Sequence, residues 1–176
     1  MEHAILFGEH ELTIDEKNRI VVPAEVRNSI EASRDGEAFF LIIGPNRKPW
    51  VYPDRYYQSL VSQKAEQELT PDDDLLLFDQ MNFAMASRVE PDKQGRLTLP
   101  EKLLRRTGIE REISLIGVRD HLELWNRAEW EAQFHENLQK LPEIARRAKD
   151  ARRNSSRNAT PPAPQPPPTG ERYEQR

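Results

Sequence analysis

Residues 15–23 read DEKNRIVVP, and residues 92–100, lying 77 positions further on, read DKQGRLTLP. Each stretch holds an acid, an Arg four places later, three residues that are apolar or Thr, and then a Pro. The likeness spreads outward in order. Leu12 and Ile14 alternate before the first stretch, and Ile20, Val21 and Val22 follow a polar turn, a pattern that reads as a hairpin. The turn needs a residue tolerant of positive φ, which Asn18 supplies in the first copy and Gly95 in the second. Pro23 and Pro100 cannot donate to a strand ladder but suit the first turn of a helix. PAEVRNSI and PEKLLRRTGI supply those helices, with Val26, Ile30, Leu103 and Leu104 expected to face a core.

The correspondence continues beyond the helices. FFLIIG at 39–44 matches ISLIG at 113–117, each ending in a Gly (Gly44, Gly117), and from there the offset is 73. The first copy therefore carries four extra residues, placed by this reading in the loop ASRDGEA. Strands around Trp50-Val51-Tyr52 and Leu122-Glu123-Leu124-Trp125 come next, and the aromatic pairs Tyr52/Tyr57 and Trp125/Trp130 share a spacing of five. Each unit reads strand, strand, short helix, strand, strand, longer helix. An internal repeat of this order decides the fold class as α+β and β-rich. The first unit is expected over 5–60 and the second over 87–142.

A helical connector is expected over 61–86. The whole of 62–90 looks helical, broken at Thr70-Pro71-Asp72, with Pro71 opening a helix whose first turn is acidic. After the second unit, Trp130, Phe134, Leu138 and Leu141 form a helical stripe. Beyond Lys149 the composition shifts to Arg, Ser and Pro, with six Pro among the nine residues from 160 to 168. Residues 150–176 are accordingly expected to be a disordered or polyproline II tail.

Charge and composition exclude several classes. The hydrophobic fraction of 36% falls below the roughly 45–50% usual for globular domains, in part because of the polar tail. From Glu143 onward eight Lys/Arg stand against four Asp/Glu; the full chain carries −4, so residues 1–142 carry −8. An acidic body argues against nucleic-acid binding by bulk charge, leaving local basic patches or oligomer geometry. With no Cys there is no disulfide and no thiolate site. The acidic start MEHAILFGEH is not a signal peptide, and no window approaches the ~18 apolar residues of a membrane span. The pattern is that of a soluble intracellular protein.

No site for catalysis emerges. His3, His10, His121 and His135 lie in no metal-ligand spacing, and phosphate-loop, dinucleotide and nucleophile-elbow motifs are absent. His121 and Glu123, two apart on a strand, read as a solvated surface pair. The acids Asp72, Asp73 and Asp74 read as the start of a helix rather than a Mg²⁺ site. No cofactor and no small-molecule substrate are expected.

The spacing Asp15–Arg19, kept in Asp92–Arg96, admits two compatible readings. In one, each pair simply holds its turn, the Asp also accepting backbone N–H bonds. In the other, the turns present Lys17 and Arg19, or Lys93 and Arg96, to an anion or a guanine edge, with the Asp orienting the Arg.

The segments FGEHELTIDEKNRIVVPAEVR and VEPDKQGRLTLPEKLL resemble the duplicated signature of the MraZ family, within the AbrB/SpoVT class of swapped-hairpin folds. The resemblance covers roughly 5–140. It implies two AbrB-like swapped-hairpin units closing one pseudo-twofold β-barrel with flanking helices. It also implies a bacterial, cytoplasmic, nucleoid-associated regulator that assembles into a ring-like homo-oligomer. Such a regulator binds tandem repeats in double-stranded promoter DNA upstream of the division and cell-wall gene cluster. Carried over by position, Arg19 and Arg96 are the motif Arg residues and Asp15 and Asp92 the motif Asp residues. Asn18 stands where the family has Gly. Arg27 and Arg105 occupy helix positions that are often basic in the wider class. Of the two copies, the first is the expected main contact, because Lys17 and Arg27 accompany its Arg. The competing class is an AbrB-like antitoxin or protein-interaction module using the Arg/Pro-rich tail.

Overall fold

A computed structural model describes residues 3–65 and 73–158. Contacts divide the chain into a body, Met1–Gln133, and a C-terminal unit, Phe134–Arg176. In the first copy β1 (Glu9–Thr13), β2 (Arg19–Val21), α1 (Ala24–Ser29), α2 (Ala32–Asp35), β3 (Phe39–Ile43), β4 (Pro49–Pro53) and α3 (Asp54–Ala65) follow one another. After α4 (Asp73–Met85) the second copy runs β5 (Ser87–Val89), β6 (Arg96–Thr98), α5 (Glu101–Thr107), β7 (Glu112–Gly117), β8 (Leu122–Asn126) and α6 (Arg127–Gln139). Then comes α7 (Leu141–Asn158). The helix start expected at Thr70-Pro71 and the Pro-rich stretch after 158 lie outside the described residues.

The strands pair between copies. One sheet has the order β1-β7-β8-β4-β3-β5, and β2 with β6 forms a separate two-stranded ribbon. Replacing each strand by its counterpart in the other copy turns the sheet order into its own reverse, which is a pseudo-twofold arrangement. The register places the axis. Ile20 faces Leu97 in the ribbon and Trp50 faces Glu123 in the sheet, and both pairs join residues that are equivalent in the repeat. The expected barrel is corrected: the sheet ends at β1 and β5, which are not hydrogen-bonded to each other, and the ribbon is a ladder of its own. The expected hairpins are corrected too. Both turns form, but β1 pairs with β7 and β2 with β6, so the strands flanking a turn leave for different ladders. Alternation specifies which face of a strand is buried, not which strand lies beside it.

Burial explains the repeat's apolar positions. Ile14, Ile20, Val22, Val26, Leu97, Leu99, Leu103, Leu104, Ile113, Leu115 and Leu124 belong to one core drawn from both copies, with Ile30 packed against it. Tyr52 and Tyr57 lie 5.7 Å apart between ring centres, and Trp125 and Trp130 lie 5.5 Å apart, so each copy closes its aromatic pair. Both glycines ending the third strand of a copy are sites of close approach. A Cβ on Gly44 would stand 2.2 Å from the Trp50 ring, and one on Gly117 2.4 Å from the Phe7 backbone.

Four local expectations change. The extra residues of the first copy are not a plain loop: Ala32–Asp35 is helical, and fully buried Asp35 accepts N–H bonds from Ala4 and Glu31 and pairs with Arg34. The helix expected up to residue 90 stops at Met85, because Ser87–Val89 ladders onto β3. The stripe after Trp130 is split between two helices, Leu141 opening α7, and Phe134, Leu138 and Leu141 are about half exposed. The tail expected from 150 is helical as far as Asn158, since its Ala and Arg residues are strong helix formers and the Pro run begins only at 161.

His121 and Glu123 are not a solvated pair. Both are buried, with His121 stacked 4.0 Å from Trp50 and bonded through Nδ1 to Asp120 at 2.7 Å. Trp125 and Asn46 donate to Glu123 at 2.7 and 2.9 Å. Burial opposes the imidazolium, yet its bonds to Glu123 and Asp120 outweigh that cost and raise the His121 pKa. Stability from this group is complete below the ordinary value near 6.5 and is lost as pH rises through the higher folded value. Urea melts should therefore show wild-type stability falling with pH above about 6.5. His121→Gln should be flat over that window, and equal slopes in the two proteins would refute the network.

Candidate nucleic-acid interface

The two Asp–x–x–x–Arg turns are built alike. In the first, Asp15 N–H donates to the Arg19 carbonyl at 2.9 Å and Asn18 N–H to the Asp15 carbonyl at 3.0 Å. In the second, the corresponding Asp92–Arg96 and Gly95–Asp92 bonds are 2.9 and 2.8 Å. Asn18 and Gly95 take φ of 56° and 72°, the left-handed shape the turn requires. Each Asp divides its oxygens. Asp15 Oδ1 accepts the N–H groups of Lys17 and Arg19, both at 2.9 Å, and Asp92 Oδ1 accepts those of Gln94 and Arg96 at 2.9 and 3.0 Å. Oδ2 receives the guanidinium, with Nε at 2.8 Å in both copies and Nη2 at 2.6 Å for Arg19 and 2.7 Å for Arg96. Holding the turn and orienting the Arg are thus two functions of one carboxylate.

This bonding sets the charges. The Arg19 side chain, against some cost of burial and with help from the Arg19 and Lys17 N–H groups, holds the Asp15 pKa at about 2. Arg96 does the same for Asp92, also about 2. The Arg19 cation is stabilised first by its bond to Asp15 and also by the field of Asp92 in the other copy. Among the described residues the Nη1 of each Arg has no hydrogen-bond acceptor, so that part of each guanidinium keeps donors to spare.

The ribbon brings the copies together. Val22 N–H donates to the Gly95 carbonyl at 3.0 Å and Leu99 N–H to the Asn18 carbonyl at 2.7 Å, so each strand is tied to the opposite turn. Arg19 faces Thr98 and Val21 faces Arg96 across the ladder. Alternation buries Ile20 and Leu97 and leaves Arg19, Val21, Arg96 and Thr98 on the outer face. Val21, 51% exposed between two Arg residues, is a surface position that sequence reading did not single out. Its signal was available in the alternation of IVV against buried Ile20 and Val22.

The remaining candidates separate. Lys17 and Lys93 are exposed on the turns, but at different positions: the counterpart of Lys17 is Gln94, and that of Lys93 is Glu16. Arg27 joins the site, because its Nη1 lies 3.1 Å from where a Cβ on Gly95 would be. Arg105 is exposed in the last turn of α5, and the residue equivalent to Arg27 is Leu104, which is buried. The helix positions paired by sequence are therefore one residue out of step. Among the described residues no group of three or more His, Asp or Glu is arranged to hold a metal, and no helix is long and apolar enough to cross a membrane.

Comparison with known proteins agrees with this duplicated architecture. The model of a family described as "MraZ protein, putative antitoxin-like" matches residues 5–79 and 82–154. Proteins named "Transcriptional regulator MraZ" are similar over most of their length. That of Lachnoclostridium phytofermentans is 30% identical over 137 residues, covering 78% of this chain and 92% of the relative. Those of Acetivibrio thermocellus and Clostridium tetani are 30% and 31% identical, with 73% and 76% of this chain and 85% and 90% of the relatives covered. The chain belongs to the MraZ family, a family of transcriptional regulators and not of enzymes.

Proposed function

We infer that the chain is a sequence-specific regulator that reads double-stranded promoter DNA with the outer face of the β2–β6 ribbon. The observation that carries this reading is the pair of Asp-braced Arg residues, Arg19 and Arg96, on one face of an antiparallel ribbon. Strands of three residues make a ribbon roughly 10 Å long, which enters a major groove about 12 Å wide. Guanidinium groups held by a carboxylate on one edge keep another edge for guanine O6 and N7 or for phosphate. Lys17 and Arg27 strengthen the first copy, while Lys93 serves the second. The exchange of β1, β2 and β5 between copies is the pairing that a swapped-hairpin fold in a single chain would have.

The regulator works in the cytoplasm, on the nucleoid, as a ring-like homo-oligomer bound to tandem repeats before the division and cell-wall genes. Exposed Leu75, Leu77, Met81 and Phe83 on α4 supply an apolar surface for self-association. Tandem contacts then combine through effective concentration, so each ribbon can bind weakly.

Arg19→Ala tests the reading. Affinity for promoter duplex, measured by fluorescence anisotropy, should fall about 10-fold or more with the melting temperature little changed. Unchanged affinity would overturn the assignment. The antitoxin-like wording of the family description favours a second reading, a protein-interaction module. A stable complex with a partner protein, in a chain indifferent to promoter DNA, would establish it.

A further inference from the structure

The ribbon lacks one thing that DNA binding needs. In the first turn Asp15 and Glu16 balance Lys17 and Arg19, and in the second Asp92 offsets one of Lys93 and Arg96. Both Arg residues already hold a carboxylate. The ribbon also belongs to a stretch, residues 1–142, with a net charge of −8. Such a surface can discriminate bases, but it releases few counterions and draws a polyanion poorly.

The missing charge is concentrated on α7. Its 18 residues include Arg146, Arg147, Lys149, Arg152, Arg153 and Arg157 against Glu143 and Asp150. Charges that served only solubility, on a body already acidic, would be Asp and Glu rather than Arg and Lys, since added acids help solubility more. Nor are they spread evenly. Steps of three and four place Arg146, Lys149 and Arg153 along one face, all exposed, opposite Ile144, Ala148 and Ala151. Arg147 lies off this row and pairs with Glu143 at 3.8 Å.

We propose that α7 is a second nucleic-acid contact, a sequence-independent clamp whose Arg146, Lys149 and Arg153 lie along the phosphates of duplex DNA. It rests on the reading of the ribbon as the base-reading face and divides the work with it: the ribbon discriminates and α7 attracts. Phosphate contacts of this kind fix position and affinity without carrying sequence information.

The test uses the full chain with Arg146→Gln, Lys149→Gln and Arg153→Gln together, since Gln keeps helix propensity. Binding to promoter and to scrambled duplexes is measured from 50 to 200 mM salt. The slope of log affinity against log salt should become shallower by roughly 2–3, at about 0.9 per phosphate contact. Both duplexes should lose affinity by the same factor, leaving the preference for promoter intact. A companion with Arg146→Lys and Arg153→Lys should keep the wild-type slope, which excludes a folding defect as the cause. An unchanged slope in the Gln variant overturns the clamp. So does a variant whose only defect is in binding phosphatidylserine vesicles or in oligomer mass, which would assign α7 to a membrane or to a second copy. Failure of the ribbon reading looks different: Arg19→Ala would then keep its promoter preference while the α7 slope change persisted.

Discussion

Gly117→Ala is expected to destabilise the protein by about 3 kcal/mol, the upper range for forcing a methyl into a packed site. For a chain of this length that is a fall in melting temperature of roughly 6–12 °C. The added Cβ would meet three backbone atoms of Phe7 at 2.4–2.5 Å. That backbone cannot withdraw freely. On either side of Phe7, Leu6 exchanges bonds with Arg119 at 2.7 and 2.8 Å, and the Gly8 carbonyl accepts Gly117 N–H at 2.8 Å. Gly108→Ala is the control, because a Cβ there meets nothing within 4 Å and strains only its left-handed φ of 67°. It should cost about 1–2 kcal/mol. Equal losses in the two variants would show that the Phe7 segment does not lie against Gly117.

Leu97→Ala is expected to cost about 2–5 kcal/mol in urea melts, whereas Val21→Ala, one step along on the facing strand, should stay within about 0.5 kcal/mol. Leu97 is 1% exposed and faces Ile20 at the centre of the ribbon, so truncation leaves a cavity between the ribbon and the shared core. Val21 points the other way and is half exposed. A small loss at Leu97 with a large one at Val21 would invert the faces of the ribbon and take Arg19 and Arg96 off the surface with them.

Much of this was legible from local pattern. The repeat, the turns with Asn18 and Gly95 at positive φ, and the buried Val26, Leu103 and Leu104 follow from spacing and backbone chemistry alone. Partners were not legible, because alternation marks a face and leaves the neighbour open. That is why local hairpins were expected where there is a ribbon between copies, while the expected closed barrel came from the family resemblance alone. His121 and Glu123 misled for a related reason. Charged residues two apart suggest solvent, and what buries them is Trp50 and Asn46 arriving from the other copy. At the candidate site the braced Arg residues were visible in the sequence. The lodging of Arg27 against Gly95 was not, since only tertiary packing joins α1 to the second turn.

The exchange of strands between copies also bears on how the chain is made. β1 waits for β7, whose partner residues lie about a hundred positions later, from Thr13 with Glu112 to Glu9 with Ile116. At ~5–20 residues per second a ribosome needs roughly 5–20 s to supply them. Throughout that interval the emerging first copy exposes unpaired strand edges, the surface on which chains pair wrongly. On a polysome each neighbouring nascent chain displays the same edges. Cross-pairing between chains there competes with the arrival of a chain's own second half, and the rate of translation decides between them.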